Sequence, residues 1–318
     1  MPAKPQTAKP PEKLHFISGL PRSGSTLLSA ILKQNPRFHA GMTSPLGDMV
    51  GSLVAEMSGK NDFSVVISDE QRAAILRGVF QNFYGGFLGT DVVFDTGRVW
   101  CSKLPMLAQL FPNSKVVACV REMPWVLDSV ERLVRKQPLS ANKIFHFNPN
   151  GTVYSRAEAL IDVNGMVGFS FQATKDAFYG QHAPGRLLLL SYEGLTGNPE
   201  AAMQAVYKFI GEPWFEHDFE HIDYKADEFD ARLGLPGLHT VKSKVSAPKR
   251  ESVLPPDLFN RFAKDSFWLD PKNNIRKVPI IRRSRGSPTA TAKSPPPTTP
   301  ARRRPVRLRS HRAGARPR

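Results

Sequence analysis

The stretch Gly19–Thr26, GLPRSGST, gathers anion-binding groups into a single turn. Gly19 and Gly24 keep the spacing of the nucleotide-triphosphate loop G-x-x-x-x-G-K-[ST], and Thr26 fills its Ser/Thr place. Ser25 stands where that loop carries lysine. An apolar run, Leu14 to Ser18, precedes the turn and a helical pattern follows it. In that setting the backbone N–H groups of residues 22–26 and the positive end of a helix converge on one anion. Ser23, Ser25 and Thr26 add hydroxyl donors, and Arg22 adds a fixed charge with a planar fork of donors. The loop lysine bridges β- and γ-phosphates, so its loss argues against a triphosphate ligand. Two other readings stay open. One is a kinase or NTPase in which Asp95, closing the apolar run VVFD, holds Mg²⁺. The other is a non-catalytic anion-binding module.

The elements that must position this turn read as a run of βα units. Strands are expected at 14–18, at Asp91–Asp95, at Lys115–Val120 and at Arg186–Tyr192. Helices are expected over about 25–34, 46–57, 103–110, 124–136 and 155–180. A further helix follows the capping signal Ser68-Asp69-Glu70-Gln71. Another has Asn198 as N-cap, Pro199 at its first position and Gly211 past its end. Strands alternating with helices predict an α/β fold: a P-loop-like, mainly parallel sheet with helices on both faces.

The 318 residues suit one large α/β domain. Residues 282–318 hold 12 Lys/Arg and no Asp/Glu; without them 32 basic residues face 28 acidic ones, so the formal charge of +16 belongs mostly to this segment. It reads as a disordered basic Pro/Arg-rich tail, and residues 1–13 as a disordered N-terminal segment, leaving 14–281 as the folded domain. The tail reads first as an extension without a role, and any nucleic-acid contact would run through it alone. No run reaches the roughly 18 apolar residues of a membrane span, and the start lacks an apolar leader, so a cytoplasmic protein without membrane contact is expected. Cys101 and Cys119 fit no metal spacing, and no metal is expected.

Taken together, four motifs resemble the sulfotransferases that use 3′-phosphoadenosine 5′-phosphosulfate, above all the tyrosylprotein sulfotransferase branch and its bacterial relatives. GLPRSGSTLL resembles that family's 5′-phosphosulfate loop, CSKLP (Cys101–Pro105) its segment with a central lysine, LFPNSKVVACVRE (Leu110–Glu122) the strand ending in its 3′-phosphate arginine, and SYEGL (Ser191–Leu195) a later Tyr-Glu-x-Leu segment. The likeness covers about residues 14–270. It implies a sulfuryl transferase whose loop takes the phosphosulfate while Arg121 and Ser129, eight residues apart, take the 3′-phosphate. It implies Arg22 and Lys103 as stabilisers of the transferring group. Lys103 at a helix start is electrostatically unfavourable, which itself suggests a role. Tyr192 and Arg132 are further candidates for the nucleotide. In the segment 237–258, which matches a loop folded over the donor, the candidate clamps are Lys242, Lys244, Lys249 and Arg250. The acceptor is expected to be a hydroxyl of a carbohydrate, lipid, small molecule or protein side chain.

The likeness fails at the base. The family's glutamate pair falls on Met42 and Thr43 in AGMTSPLGD, leaving Asp48, His39 and Glu56 as substitutes, with Asp48 also suited to capping a helix.

Overall fold

The computed structural model describes residues 13–85, 91–139, 143–145, 151–224, 227–232, 236–246 and 250–283. Residues 1–12 and 284–318, most of the two segments read as disordered, lie outside them, as does Lys249. The strands are β1 (Lys13–Gly19), β2 (Phe38–Ala40), β3 (Val92–Thr96), β4 (Val116–Val120), β5 (Leu187–Ser191) and β6 (Ile280–Ile281). They form one sheet in the order β2-β3-β1-β4-β5-β6, with every pairing parallel. The helices are α1 (Ser25–Leu32), α2 (Leu46–Glu56), α3 (Asp69–Tyr84), α4 (Leu104–Leu110), α5 (Met123–Arg135), α6 (Val153–Ile161), α7 (Met166–Tyr179), α8 (Tyr192–Gly197), α9 (Pro199–Ile210), α10 (Asp227–Arg232) and α11 (Pro256–Phe262).

The alternation of side chains along each strand sorts the core onto two faces. Phe16, Val93, Val116, Ala118, Val120, Leu187 and Leu189 join the cluster built with α2 to α7 and α11. Their neighbours Ile17, Val92, Phe94, Val117, Cys119, Leu188 and Leu190 join the cluster built with α1, α8 and α9. Both faces are therefore dry, which is why these strands are apolar throughout. The expected α/β architecture is present. The single helical region expected over 155–180 is two helices, and the short β2 and β6 extend the sheet at its edges. Lys13 pairs within β1, so that strand begins one residue earlier than its apolar run. No helix among the described residues is long and apolar enough to cross a membrane.

Asp95 does not present a carboxylate to the glycine turn. It is fully buried in β3. Its Oδ2 accepts from the Tyr84 hydroxyl at 2.6 Å and the Ser44 hydroxyl at 2.7 Å, and its Oδ1 accepts from Trp100 Nε1 at 2.7 Å. It is a structural hub tying α3, the β2–α2 connection and the segment after β3 together. The metal-holding role considered for a kinase finds no support in this donor set.

Two buried histidines make stability depend on pH. His15 accepts the Lys115 N–H at Nδ1 (3.1 Å). Burial, with Lys13 and Lys115 nearby, holds it at about 4. His217 sits among Tyr207, Trp214, Phe215 and Phe219 and is also held at about 4 by burial. Both remain neutral in the fold while the unfolded chain takes up protons below 6.5. Stability is thus lost as pH falls from about 6.5 to about 4. The expected slope is about 1.4 kcal/mol per pH unit for each histidine. Urea unfolding of His15→Gln and His217→Gln should show a shallower acid slope than the parent protein. Slopes unchanged in both variants contradict this account.

Candidate functional site

The strands end on one side of the sheet, where ligands of open α/β folds bind. There a cleft of about 720 Å³ opens over β1, β3 and β4. The turn from β1 to α1 forms its floor. Gly19 has φ 104°, and a Cβ there would lie 2.1 Å from the Cys119 carbonyl oxygen, so only glycine lets the turn leave the sheet this close to β4. Gly24, with φ 95°, is the N-cap of α1 and packs against the Tyr192 ring. Leu28 N–H makes a helical bond to the Gly24 carbonyl at 2.8 Å, so the amides before it belong to the helix end that has no intrahelical acceptors. The first turn of α1 carries no acidic residue to oppose an anion. Gly24, Ser25 and Thr26 line the cleft; Ser23 is buried and its hydroxyl turns back to the Pro21 carbonyl (3.3 Å).

Arg22 adopts a left-handed conformation, φ 59°. A non-glycine residue there stores strain that the surroundings must offset. They do so from two sides. Arg22 Nε donates to Ser129 Oγ at 3.0 Å, and its carbonyl accepts from Arg121 Nη1 at 3.4 Å. Burial and the neighbouring Arg121 lower the Arg22 guanidinium to about 10. Arg121 lies over the Tyr192 ring, 4.1 Å from its centroid, and its Nε is 3.5 Å from Glu193 Oε1. That nitrogen is buried without an aligned hydrogen-bond acceptor among the described residues. Arg250 lines the same cleft, and Arg121 and Arg132 help burial to lower its pKa. Several guanidinium groups thus crowd one space, a costly arrangement that an anionic ligand would relieve.

Of the residues singled out in the sequence, Arg22, Gly24, Ser25, Thr26, Asp48, Arg121, Ser129, Tyr192, Lys242, Lys244 and Arg250 line the cleft. Lys244 also pairs with Glu220 at 2.6 Å. Lys103 does not line it; this lysine is the N-cap residue of α4. From the same connection Arg98 does line the cleft, its pKa lowered by desolvation against the favourable charge of Asp48. Arg132 stays outside, bonded to Asp128 (3.0 Å) and to the Glu251 carbonyl. Asp48 lies in the first turn of α2 but does not cap it; Pro45 holds the cap position. Glu56 pairs with Lys60 at the far end of α2. His39 lines a side cavity of about 310 Å³ with Phe83, Tyr84 and Tyr224, which shares Met42, Thr43, Ser44 and Thr96 with the main cleft.

One pair escaped sequence reasoning. His239 lines the cleft, and its Nδ1 lies 2.5 Å from Oδ1 of the buried Asp230, whose Oδ2 accepts the His239 amide at 2.8 Å. His239 lies in the segment 237–258 that the family likeness marked, but neither it nor Asp230 was singled out there.

The comparisons agree with this geometry. A family model described as the Sulfotransferase family matches residues 15–216. Protein-tyrosine sulfotransferase 2 of Gallus gallus is 27% identical over 219 residues, 65% of this chain and 53% of that protein. Protein-tyrosine sulfotransferase A of Caenorhabditis elegans is 24% identical over 217 residues, 65% of this chain and 52% of that protein. The chain thus spans about half the length of these two relatives. Among solved structures, the sulfotransferase domain from the curacin biosynthetic pathway matches with a TM-score of 0.51 and 19% identity, over 80% of this chain and 96% of that one, which shows the shared fold. With the turn, the parallel sheet and a family match over most of the folded part in agreement, the chain belongs to the sulfotransferase family.

Proposed function

We propose that this protein transfers a sulfuryl group from 3′-phosphoadenosine 5′-phosphosulfate to a hydroxyl acceptor. The observation that carries the reading is the meeting of Arg22, Ser129 and Arg121 at one turn, with Arg22 Nε 3.0 Å from Ser129 Oγ. A donor with two separated anionic groups suits that arrangement. The amides of residues 22–26 and Arg22 receive the phosphosulfate, and Arg121 with Ser129 receives the 3′-phosphate. In the transfer the acceptor oxygen bonds to sulfur as the bond from sulfur to the 5′-phosphate oxygen breaks. Arg22 and the turn amides stabilise charge on the transferring group and the leaving phosphate. Arg98 supplies the second cation from the β3–α4 connection, the role the family likeness gave to Lys103.

The acceptor loses a proton, and no carboxylate stands at Met42 or Thr43 to take it. We assign that role to His239, oriented through Nδ1 by the buried Asp230. The acceptor approaches over Met42, Thr43 and Ser44, the residues through which the cleft joins the side cavity. The names of the relatives make a tyrosyl hydroxyl the first acceptor to test, ahead of small-molecule, carbohydrate and lipid hydroxyls.

Calorimetry should show that 3′-phosphoadenosine 5′-phosphate binds more tightly than adenosine 5′-phosphate. Arg121→Ala should erase about 10- to 100-fold of that preference, the worth of a charged hydrogen bond of about 1.5–3 kcal/mol. Equal affinity of the parent protein for the two nucleotides contradicts the reading. In a sulfuryl-transfer assay, His239→Asn should lower kcat by about 10²-fold or more with donor affinity unchanged. Asp230→Asn should lower it less. Full turnover in His239→Asn removes that residue from the mechanism.

A further inference from the structure

Asp128 lies one residue before Ser129 in α5 and is fully buried. A buried carboxylate is costly unless charge and hydrogen bonds compensate it. Here all the compensation comes from α5 itself and from one remote segment. Oδ2 accepts from Arg132 Nε at 3.0 Å and lies 2.6 Å from Arg250 Nη2. Oδ1 accepts the Val253 amide at 2.8 Å. Arg132 completes the tie by donating to the Glu251 carbonyl. Residues 250–253 are thereby strapped to α5 by one carboxylate and its neighbour.

The strap delivers Arg250 to the cleft. Its guanidinium lies 5.6 Å from the Trp125 ring centroid, a second contact with α5 beside the Asp128 ion pair. Its Nη2 is ion-paired to Asp128 but not aligned as a hydrogen bond, and Arg121 Nε is also buried without an aligned acceptor. Both arginines line the cleft, and each is held by its own carboxylate, Glu193 for Arg121 and Asp128 for Arg250.

We infer that Asp128 is a positioning residue for donor binding: it fixes residues 250–253 on α5 and so sets Arg250 beside Arg121, where the two grip the 3′-phosphate end of the nucleotide. This rests on the donor assigned above. Asp128 touches no ligand itself; it does not line the cleft. Without its charge the strap loses the counter-ion that offsets Arg132 and Arg250, and Arg250 leaves for solvent.

The test is calorimetry with 3′-phosphoadenosine 5′-phosphate and adenosine 5′-phosphate on four proteins: parent, Asp128→Asn, Arg250→Ala and the double variant. Asp128→Asn should weaken binding of the 3′-phosphorylated nucleotide about tenfold or more and leave adenosine 5′-phosphate unchanged. In the Arg250→Ala background the same change should cost almost nothing further. Asp128→Asn with the parent's preference overturns the inference. So does an equal loss with and without Arg250, which marks a purely structural role. A parent protein with no preference for the 3′-phosphate defeats the donor assignment instead, so the two failures differ. Where Asp128→Asn does not fold, Arg132→Gln removes the tie to Glu251 and keeps the carboxylate. It should lower the preference several-fold, and an unchanged preference overturns the inference equally.

Discussion

Like charges held together in a partly dry space are the constraint around which this protein is built. Arg121 and Arg250 help burial to lower the Arg22 guanidinium, and Arg121 and Arg132 help it to lower that of Arg250. Left alone they would separate. They are kept in place by neighbours that each do one thing. Ser129 takes the Arg22 Nε, the Tyr192 ring lies against Arg121, Glu193 stands 3.5 Å from it, and buried Asp128 ties Arg250 to α5. The strained backbone of Arg22 belongs to the same arrangement, because the left-handed turn is what lets its side chain reach α5 while its carbonyl meets Arg121. Energy stored in such an arrangement is recovered when an anion enters.

The cleft has a second half with different chemistry. Met42, Thr43 and Ser44 lead from it into a side cavity with aromatic walls, and Ser44 and Tyr84 are both anchored on the Asp95 carboxylate. A buried acid fully occupied by three donors does for this half what Asp128 does for the cationic half: it fixes the walls without touching a ligand. The cleft and its side cavity therefore each rest on a buried carboxylate, Asp128 in α5 and Asp95 in β3.

Much of this was legible in the residues. The turn Gly19–Thr26, the apolar strand runs and the capping signal at Ser68 are local features, and the local chain dictates them; Ser68 and Gln71 form the capping box their spacing predicts. Arg121 and Ser129 were legible because a strand end and the next helix are neighbours by construction. The illegible parts depend on contacts between distant segments. Asp128 looks in sequence like half of an ordinary i, i+4 pair with Arg132, and its bond to Val253 spans 125 residues. Asp95 looked like a metal ligand because it ends an apolar strand, and only packing shows three donors closing on it. His239 and Asp230 are nine residues apart, with no periodic pattern to announce their pairing. Lys103 and Arg98 share a connection, and the turn after β3 decides which of them lines the cleft.

The central claim is that the turn around Arg22 and the side chains of Arg121 and Ser129 bind the two anionic ends of one nucleotide. A crystal structure with 3′-phosphoadenosine 5′-phosphate bound tests it most directly. The 5′-phosphate is predicted to lie on the amides of residues 22–26, and the 3′-phosphate within hydrogen-bond reach of Arg121 and Ser129. A nucleotide seated with its 3′-phosphate away from both side chains, or lying outside the cleft, would contradict the account.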